Sequence, residues 1–301
     1  MNKKVLVSGA TGKHGRTGYY LAQKLMEEGY DLNCITRNSS RWPDDLTGNH
    51  VTVFNANFND IESLQNAMQG CTAAYFTYPV DKGVVTAAQN FITAAEGANI
   101  QQIVVNSMAA SNPKSPSRLA QAQYEAEELF ANSKITSKII RVAAFYFENI
   151  YQLHGDSILK EGEIRNCFGD ARVSWVGARD VGALLAWCFI HFDTLSQDVY
   201  YPGTPFHYSQ NDIAEKLTNI LGRTIVYDPV TKDEWIDELV NLSSNNQVIN
   251  ADMAQHIANL ADYFRNNQNP PPQFVPNLFV EANIPLTDLD SYLVETFPSY
   301  V

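Results

Sequence analysis

GATGKHG, residues Gly9–Gly15, stands between the apolar run Val5–Val7 and the helix-like stretch Tyr19–Met26. Three glycines at intervals of three, after a candidate strand and before a candidate helix, form a cradle for a phosphate. Gly9 permits the tight turn, Gly12 lets backbone approach a pyrophosphate, and Gly15 is expected to let the helix sit close on the sheet. The helix N-terminus then offers free N–H groups and positive dipole to an anion. The spacing is GxxGxxG rather than GxGxxG, so its strand–loop–helix context carries the reading.

A second feature lies about 20 residues on, where an acidic side chain would bind the ribose 2′-hydroxyl of NAD. The chain has Ile35-Thr36-Arg37-Asn38 there. Thr36 removes the carboxylate that would repel a 2′-phosphate, and Arg37 supplies a planar cation able to grip one. Arg41 and Lys13 are further cations nearby. NADP(H) is therefore favoured over NAD(H).

The first half alternates candidate strands with helical patterns. The strands are 4–7, 31–36, 51–55, 73–76, 102–106 and 137–141; the helices are 15–28, 61–68, 84–96 and 119–132. That alternation predicts an α/β fold, a Rossmann-type doubly wound parallel sheet with its ligand crevice at the carboxyl ends of the strands. Residues 1–150 are read as the dinucleotide-binding domain. Residues 151–301 form a smaller substrate-binding α/β lobe with interleaved segments. In that lobe 172–176, 198–201 and 224–227 read as strands and 180–191, 209–221 and 231–240 as helices, with Ser209 capping the second. The proline-rich stretch 269–276 predicts an extended connection, and the last 25 residues a separate cap or tail.

Composition narrows the function. The chain has 301 residues, 45% hydrophobic, enough for a sizeable core. No apolar run approaches the roughly 20 residues of a membrane span, and the N-terminus lacks a signal-like apolar region, so a cytoplasmic protein is expected. With 33 acidic against 21 basic residues the net charge is -12, which argues against direct nucleic-acid binding. Cys34, Cys71, Cys167 and Cys188 are scattered, giving neither metal-ligand nor disulfide spacing. No GxSxG, HExxH, GxxxxGK[ST] or EF-hand pattern occurs. His154–Asp156 and His191–Asp193 place His near Asp, and both read as loops without a partnered nucleophile.

GATGKHG, ITRN, IVVNSMAAS and AEELFANSKITSKIIRVAAFYFEN together resemble the NmrA-like family, atypical short-chain dehydrogenase/reductases. So do 168–176 with Asp180-Val181-Gly182, and 220–227. The family contains NADPH-dependent quinone and dye reductases and regulators that bind dinucleotide without turnover. The resemblance implies that Gly9, Thr11, Gly12 and Gly15 hold phosphate and that Arg37 marks the 2′-phosphate site. It places Asn57-Phe58 beside the adenine, with Asn where the family usually has Asp. It runs Thr77-Tyr78-Pro79 past the ribose, sets Ser107 near the nicotinamide, and brings Ala143–Tyr146 to the nicotinamide end.

Short-chain dehydrogenases of the usual kind need a Tyr with a Lys four residues on, which share a helix face and lower the Tyr pKa. The YxxxK match Tyr20–Lys24 falls on the helix after the glycine loop, the wrong place. Where many relatives carry the Lys stands Gln123, with Leu119 four residues earlier. Hydride transfer remains feasible to a quinone-like acceptor that needs little proton assistance. Ser107, Gln123 and Tyr146 are then expected to line the hydride site, and Tyr78, Tyr124, Tyr146, Tyr151 and His154 are the nearby proton sources. The aromatic stretch 144–151 reads equally as a wall for a flat apolar ligand or as a seam between the lobes; Trp175 reads as core. The chain is thus an oxidoreductase acting on a flat, activated small molecule, or alternatively a redox sensor that acts through a protein partner. An epimerase or isoflavone-type reductase fits less well, because those chemistries use the missing Lys or Tyr.

Overall fold

The computed structural model describes residues 4–12, 15–245, 249–267 and 278–297. Six strands follow one another through the first half: β1 (Lys4–Val7), β2 (Asp31–Thr36), β3 (Val51–Asn55), β4 (Ala73–Phe76), β5 (Gln102–Met108) and β6 (Thr136–Val142). Between them run α1 (Thr17–Glu27), α2 (Ile61–Met68), α3 (Val84–Gly97) and α4 (Arg118–Ala131). A seventh strand, β10 (Val199–Tyr200), joins from far along the chain, giving the order β10-β6-β5-β4-β1-β2-β3. Every pairing is parallel. The order reverses between β1 and β4, which places the crevice above their carboxyl ends.

Alternation along the strands fills both faces. Val5 and Val7 point into one core with α1 and α6 (Ala178–Ile190), whereas Leu6 points into the other with α2, α3 and α4. The rest of the chain builds β7 (Phe145–Tyr146), α5 (Glu148–Lys160), β8 (Glu163–Asn166), β9 (Val173–Val176) and β11 (His207–Tyr208). It continues through α7 (Gln210–Leu221), β12 (Val226–Pro229), α8 (Lys232–Asn245), α9 (Ala251–Asn266), α10 (Leu278–Glu281) and α11 (Leu289–Thr296). These make a three-stranded sheet β11-β9-β7, a parallel pair β12-β8, and a separate core around Phe147, Phe168, Trp175 and Trp235. Ser209 caps α7 in a reciprocal box with Asp212, as its sequence predicts.

Three expectations need correction. The last residues are not a separate cap: Leu278 and Phe279 complete the core under α1 and α6, and Leu289, Leu293 and Phe297, at helical spacing, are buried in the second core. His154 is not on a loop but buried on α5, and burial lowers its pKa to about 4. The predicted strand 224–227 forms two residues later, at Val226–Pro229, in register with β8. The extended connection 269–276 lies outside the described residues. No described helix is long and apolar enough to cross a membrane.

The glycine that seats α1 is Gly18 rather than Gly15. A Cβ on Gly18 would stand 2.5 Å from the Ser8 carbonyl oxygen and 2.7 Å from the Gly9 carbonyl carbon, so helix and turn meet backbone to backbone. Gly15 instead sits under the Tyr146 ring, 3.4 Å from where its Cβ would be, with φ at +67°. Gly18→Ala should therefore force α1 off the sheet at a cost of about 2 kcal/mol, read as a lowered Tm in a thermal melt. An unchanged Tm would show that the contact is dispensable.

Candidate active site

The turn after β1 is fixed by backbone contacts. Gly12 N–H donates to the Gly9 carbonyl at 2.9 Å. Gly9 has φ at +74°, and a Cβ there would overlap the Thr77 methyl group at the end of β4. A Cβ on Gly12 would press on the Gly9 oxygen at 2.9 Å. The Ser8 hydroxyl, which accepts from Thr77 N–H at 3.0 Å, sutures the turn to β4. Helix α1 opens with Arg16 at its N-cap in the left-handed conformation, without a side-chain cap and with no acid in the first turn. Its N-terminal dipole is thereby left open to an anion. Lys13 lies outside the described residues.

The loop touches β2 through Thr11, whose hydroxyl lies 3.1 Å from that of buried Thr36. Thr36 Oγ1 also accepts from Asn38 N–H at 3.2 Å, so the neutral side chain is integral to the bend. Arg37 is exposed and makes no hydrogen bond or ion pair with a described residue. It is close enough to Tyr78 for its charge to oppose the rise that burial and Asp81 impose on that phenol. Asn57 folds over its own turn, its Oδ1 accepting from Asn59 N–H at 3.0 Å. Phe58 meets Tyr78 edge-on at 5.3 Å, while Pro79 is exposed. Thr11, Arg37, Thr77 and Tyr78 therefore converge on the rim around β1, β2 and β4.

At the carboxyl ends of β5 and β6 the predicted hydride-site residues fall on two faces. Ser107 and Arg141 are register partners, and both turn towards α4. Glu127 of α4, 1% exposed, lies between them. It accepts from the Ser107 hydroxyl through one oxygen and from Arg141 Nε at 2.9 Å through the other. Arg141 reaches on to the Tyr201 hydroxyl. Gln123 lies four residues before Glu127 on the same stripe of α4, 7% exposed and without a hydrogen bond to any described residue. A helix after a parallel strand runs antiparallel to it, so Gln123 is one turn nearer the crevice than Glu127. The α4 N-cap, Ser117, is tied to α9 by a 2.6 Å hydrogen bond with His256 Nδ1.

Tyr146 belongs to the other face. Its ring covers Gly15, and it neighbours Asn106, whose Nδ2 donates to Thr17 Oγ1 at 3.3 Å and whose buried Oδ1 is unpaired among the described residues. Burial, then Tyr75, pushes the Tyr146 hydroxyl above the ordinary phenol value despite the hydrogen bond with Asn106. It stays neutral and is a poor proton donor at pH 7. Ser107 and Gln123 are thus brought together; Tyr146 is not joined to them.

The aromatic stretch divides in the same way. Phe145 and Phe147 turn into the second core against Phe168 and Trp175, and Tyr151 packs on Phe297 at the surface. These are seam residues, whereas Tyr146 lies against Gly15 of the glycine loop. Tyr20 and Lys24 are equally accounted for, Lys24 pairing with Glu27 at 2.8 Å on the surface of α1. Among the described residues no group of three or more His, Cys, Asp or Glu is placed to hold a metal ion.

One titratable group missed by sequence reading stands beside Tyr146. Glu148 caps α6, both its oxygens within 3.2 Å of Ala178 N–H. Burial raises its pKa to about 7, helped by neighbouring Asp180 and opposed by its backbone hydrogen bonds. A folded pKa above the ordinary 4.5 means that the folded state holds this proton more tightly. Stability is then unpenalised below pH 4.5, falls as pH rises through the window to 7, and carries the full cost, about 3 kcal/mol, above it. Glu148→Gln should remove that slope, so denaturant unfolding at pH 5 and pH 8 should show the variant gaining on the parent as pH rises. A constant difference would refute the assignment.

The profile of the NmrA-like family matches residues 1–293. The NAD(P)H azoreductase of Xenophilus azovorans is 22% identical over 231 residues, 76% of this chain and 78% of its own. The NADPH-dependent quinone oxidoreductase of Escherichia coli, solved with NADPH, superposes with a TM-score of 0.80 at 21% identity, covering 97% of this chain and 99% of that one. NmrA, a negative transcriptional regulator solved with NAD, gives a TM-score of 0.76 at 16% identity, covering 99% and 96%. With the sheet order, the glycine turn and a profile spanning nearly its whole length, the chain belongs to the NmrA-like family.

Proposed function

We propose that this protein is an NADP(H)-dependent oxidoreductase that reduces a flat, activated small molecule, quinone-like in chemistry, by hydride transfer. The observation that carries the reading is the union of an uncapped α1 N-terminus, a turn where Cβ atoms at Gly9 and Gly12 would collide, and an exposed Arg37, unpaired among the described residues, beside neutral Thr36. These groups suit a pyrophosphate and a 2′-phosphate. A bound nicotinamide would supply the hydride, and the protein would supply binding and alignment. The dye- and quinone-reducing relatives support the same chemistry.

The residues at the crevice define what the protein can add. Gln123 offers an amide that can orient a carbonyl oxygen but cannot deliver a proton at pH 7. Ser107 has given its hydrogen to Glu127, and Tyr146 is held neutral by burial. His154 and Tyr151 belong to the second core and the surface. With those residues set aside, water is the proton source that suits an acceptor whose reduced form is a stable anion. That absence also supports a second reading, a redox sensor in which dinucleotide binding alters a protein contact, as the likeness to NmrA suggests.

NADPH oxidation against quinones, azo dyes and enones, beside NADPH and NADH binding titrations, separates the two. Turnover establishes the enzyme; tight binding without turnover on any acceptor favours the sensor; no binding overturns both. Arg37→Ala should weaken NADPH binding about tenfold to a hundredfold and NADH binding little. Equal losses for both cofactors would remove the 2′-phosphate assignment. Tyr146→Phe should retain turnover, since that hydroxyl transfers no proton, and loss of kcat with unchanged cofactor KM would contradict this.

A further inference from the structure

The Ser107–Glu127–Arg141 group has a direction. Arg141 has only N–H donors, and it directs them to one Glu127 oxygen and to Tyr201. The other Glu127 oxygen takes the hydrogen of Ser107. Ser107 and Arg141 cannot drift apart, because they are register partners on β5 and β6. The Ser107 oxygen therefore presents only lone pairs to anything that approaches from the crevice. One turn above Glu127, Gln123 presents an amide that makes no hydrogen bond with a described residue. An acceptor-only oxygen beside an amide complements a group that has both an N–H donor and a carbonyl, which is a primary carboxamide.

We propose that Ser107, with Gln123, binds the carboxamide of the nicotinamide ring, and that Glu127 and Arg141 are positioning residues that keep Ser107 an acceptor. This rests on the cofactor reading above. Ser107 receives the carboxamide N–H, and the Gln123 N–H meets the carboxamide oxygen.

The reduced 3-acetylpyridine analogue of NADPH, in which a methyl group replaces the amide NH2, tests this by equilibrium titration. The parent protein should bind NADPH about tenfold more tightly than the analogue. In Ser107→Ala the ratio should fall towards one. In Glu127→Gln, where the Ser107 hydroxyl is free to turn its hydrogen outwards, it should fall as well. Both ligands are measured on the same variant, so a general loss of stability cancels from the ratio. A ratio near one in the parent protein, or an undiminished ratio in Ser107→Ala, overturns the carboxamide assignment while leaving the cofactor reading intact. No binding of either compound overturns both together.

Discussion

The approach of α1 to the end of β1 is the contact on which the rest of the molecule depends. At Gly18 the helix backbone lies against the Ser8 and Gly9 carbonyls with no side chain between them. That proximity points the open end of α1 at the turn. It also brings Thr17 next to Asn106, so that the helix start, β4 and β5 share one buried polar cluster. On the outer side α1 is packed equally close to α6, where a Cβ on Gly182 would stand 2.9 Å from Leu21 N. One helix is thus clamped at two points, and the glycine turn inherits its rigidity from both.

The polar groups follow the same economy of position. Dehydrogenases with a Tyr–Lys dyad place a cation beside the reacting oxygen. Here the cation, Arg141, lies one layer lower, mostly buried and paired with Glu127. The charge supports the hydroxyl above it instead of shifting a phenol. Such an arrangement favours binding and alignment over proton transfer, in keeping with the hydride transfer proposed above.

The regular half of the fold was legible because its signals are local. Short β-branched runs, helical periods between them and a glycine turn at the first crossover fix six strands to within two residues. The irregular half was harder. β8 and β7 are short and take their identity from partners far along the chain, β12 and β9, which no periodicity announces. The terminal segment read as a tail because prolines precede it, yet its apolar residues at 278, 279, 289, 293 and 297 are what close two cores. In the candidate site, Gly9, Gly12 and Arg37 are proposed from motif and spacing. Glu127 did not, although a signal exists: Ala120, Gln123, Glu127 and Phe130 form one helical stripe, and a carboxylate on a buried stripe requires a partner. Gly18 escaped because Gly15 completes the motif so neatly that a fourth glycine looks redundant.

The return of β10 to the first sheet has a consequence for how the chain is made. Until residues 199 and 200 emerge, β6 has an uncovered edge, and a nascent chain of the first 150 residues presents that edge to any other strand. Leu278 and Phe279 arrive later still to close the core beneath α1 and α6. Synthesis at roughly 5–20 residues per second leaves this edge open for several seconds. Lys138, which spans from β6 to Asp198 at 3.0 Å in the finished fold, then serves as a charged gatekeeper on the waiting edge before it becomes an ion-pair partner.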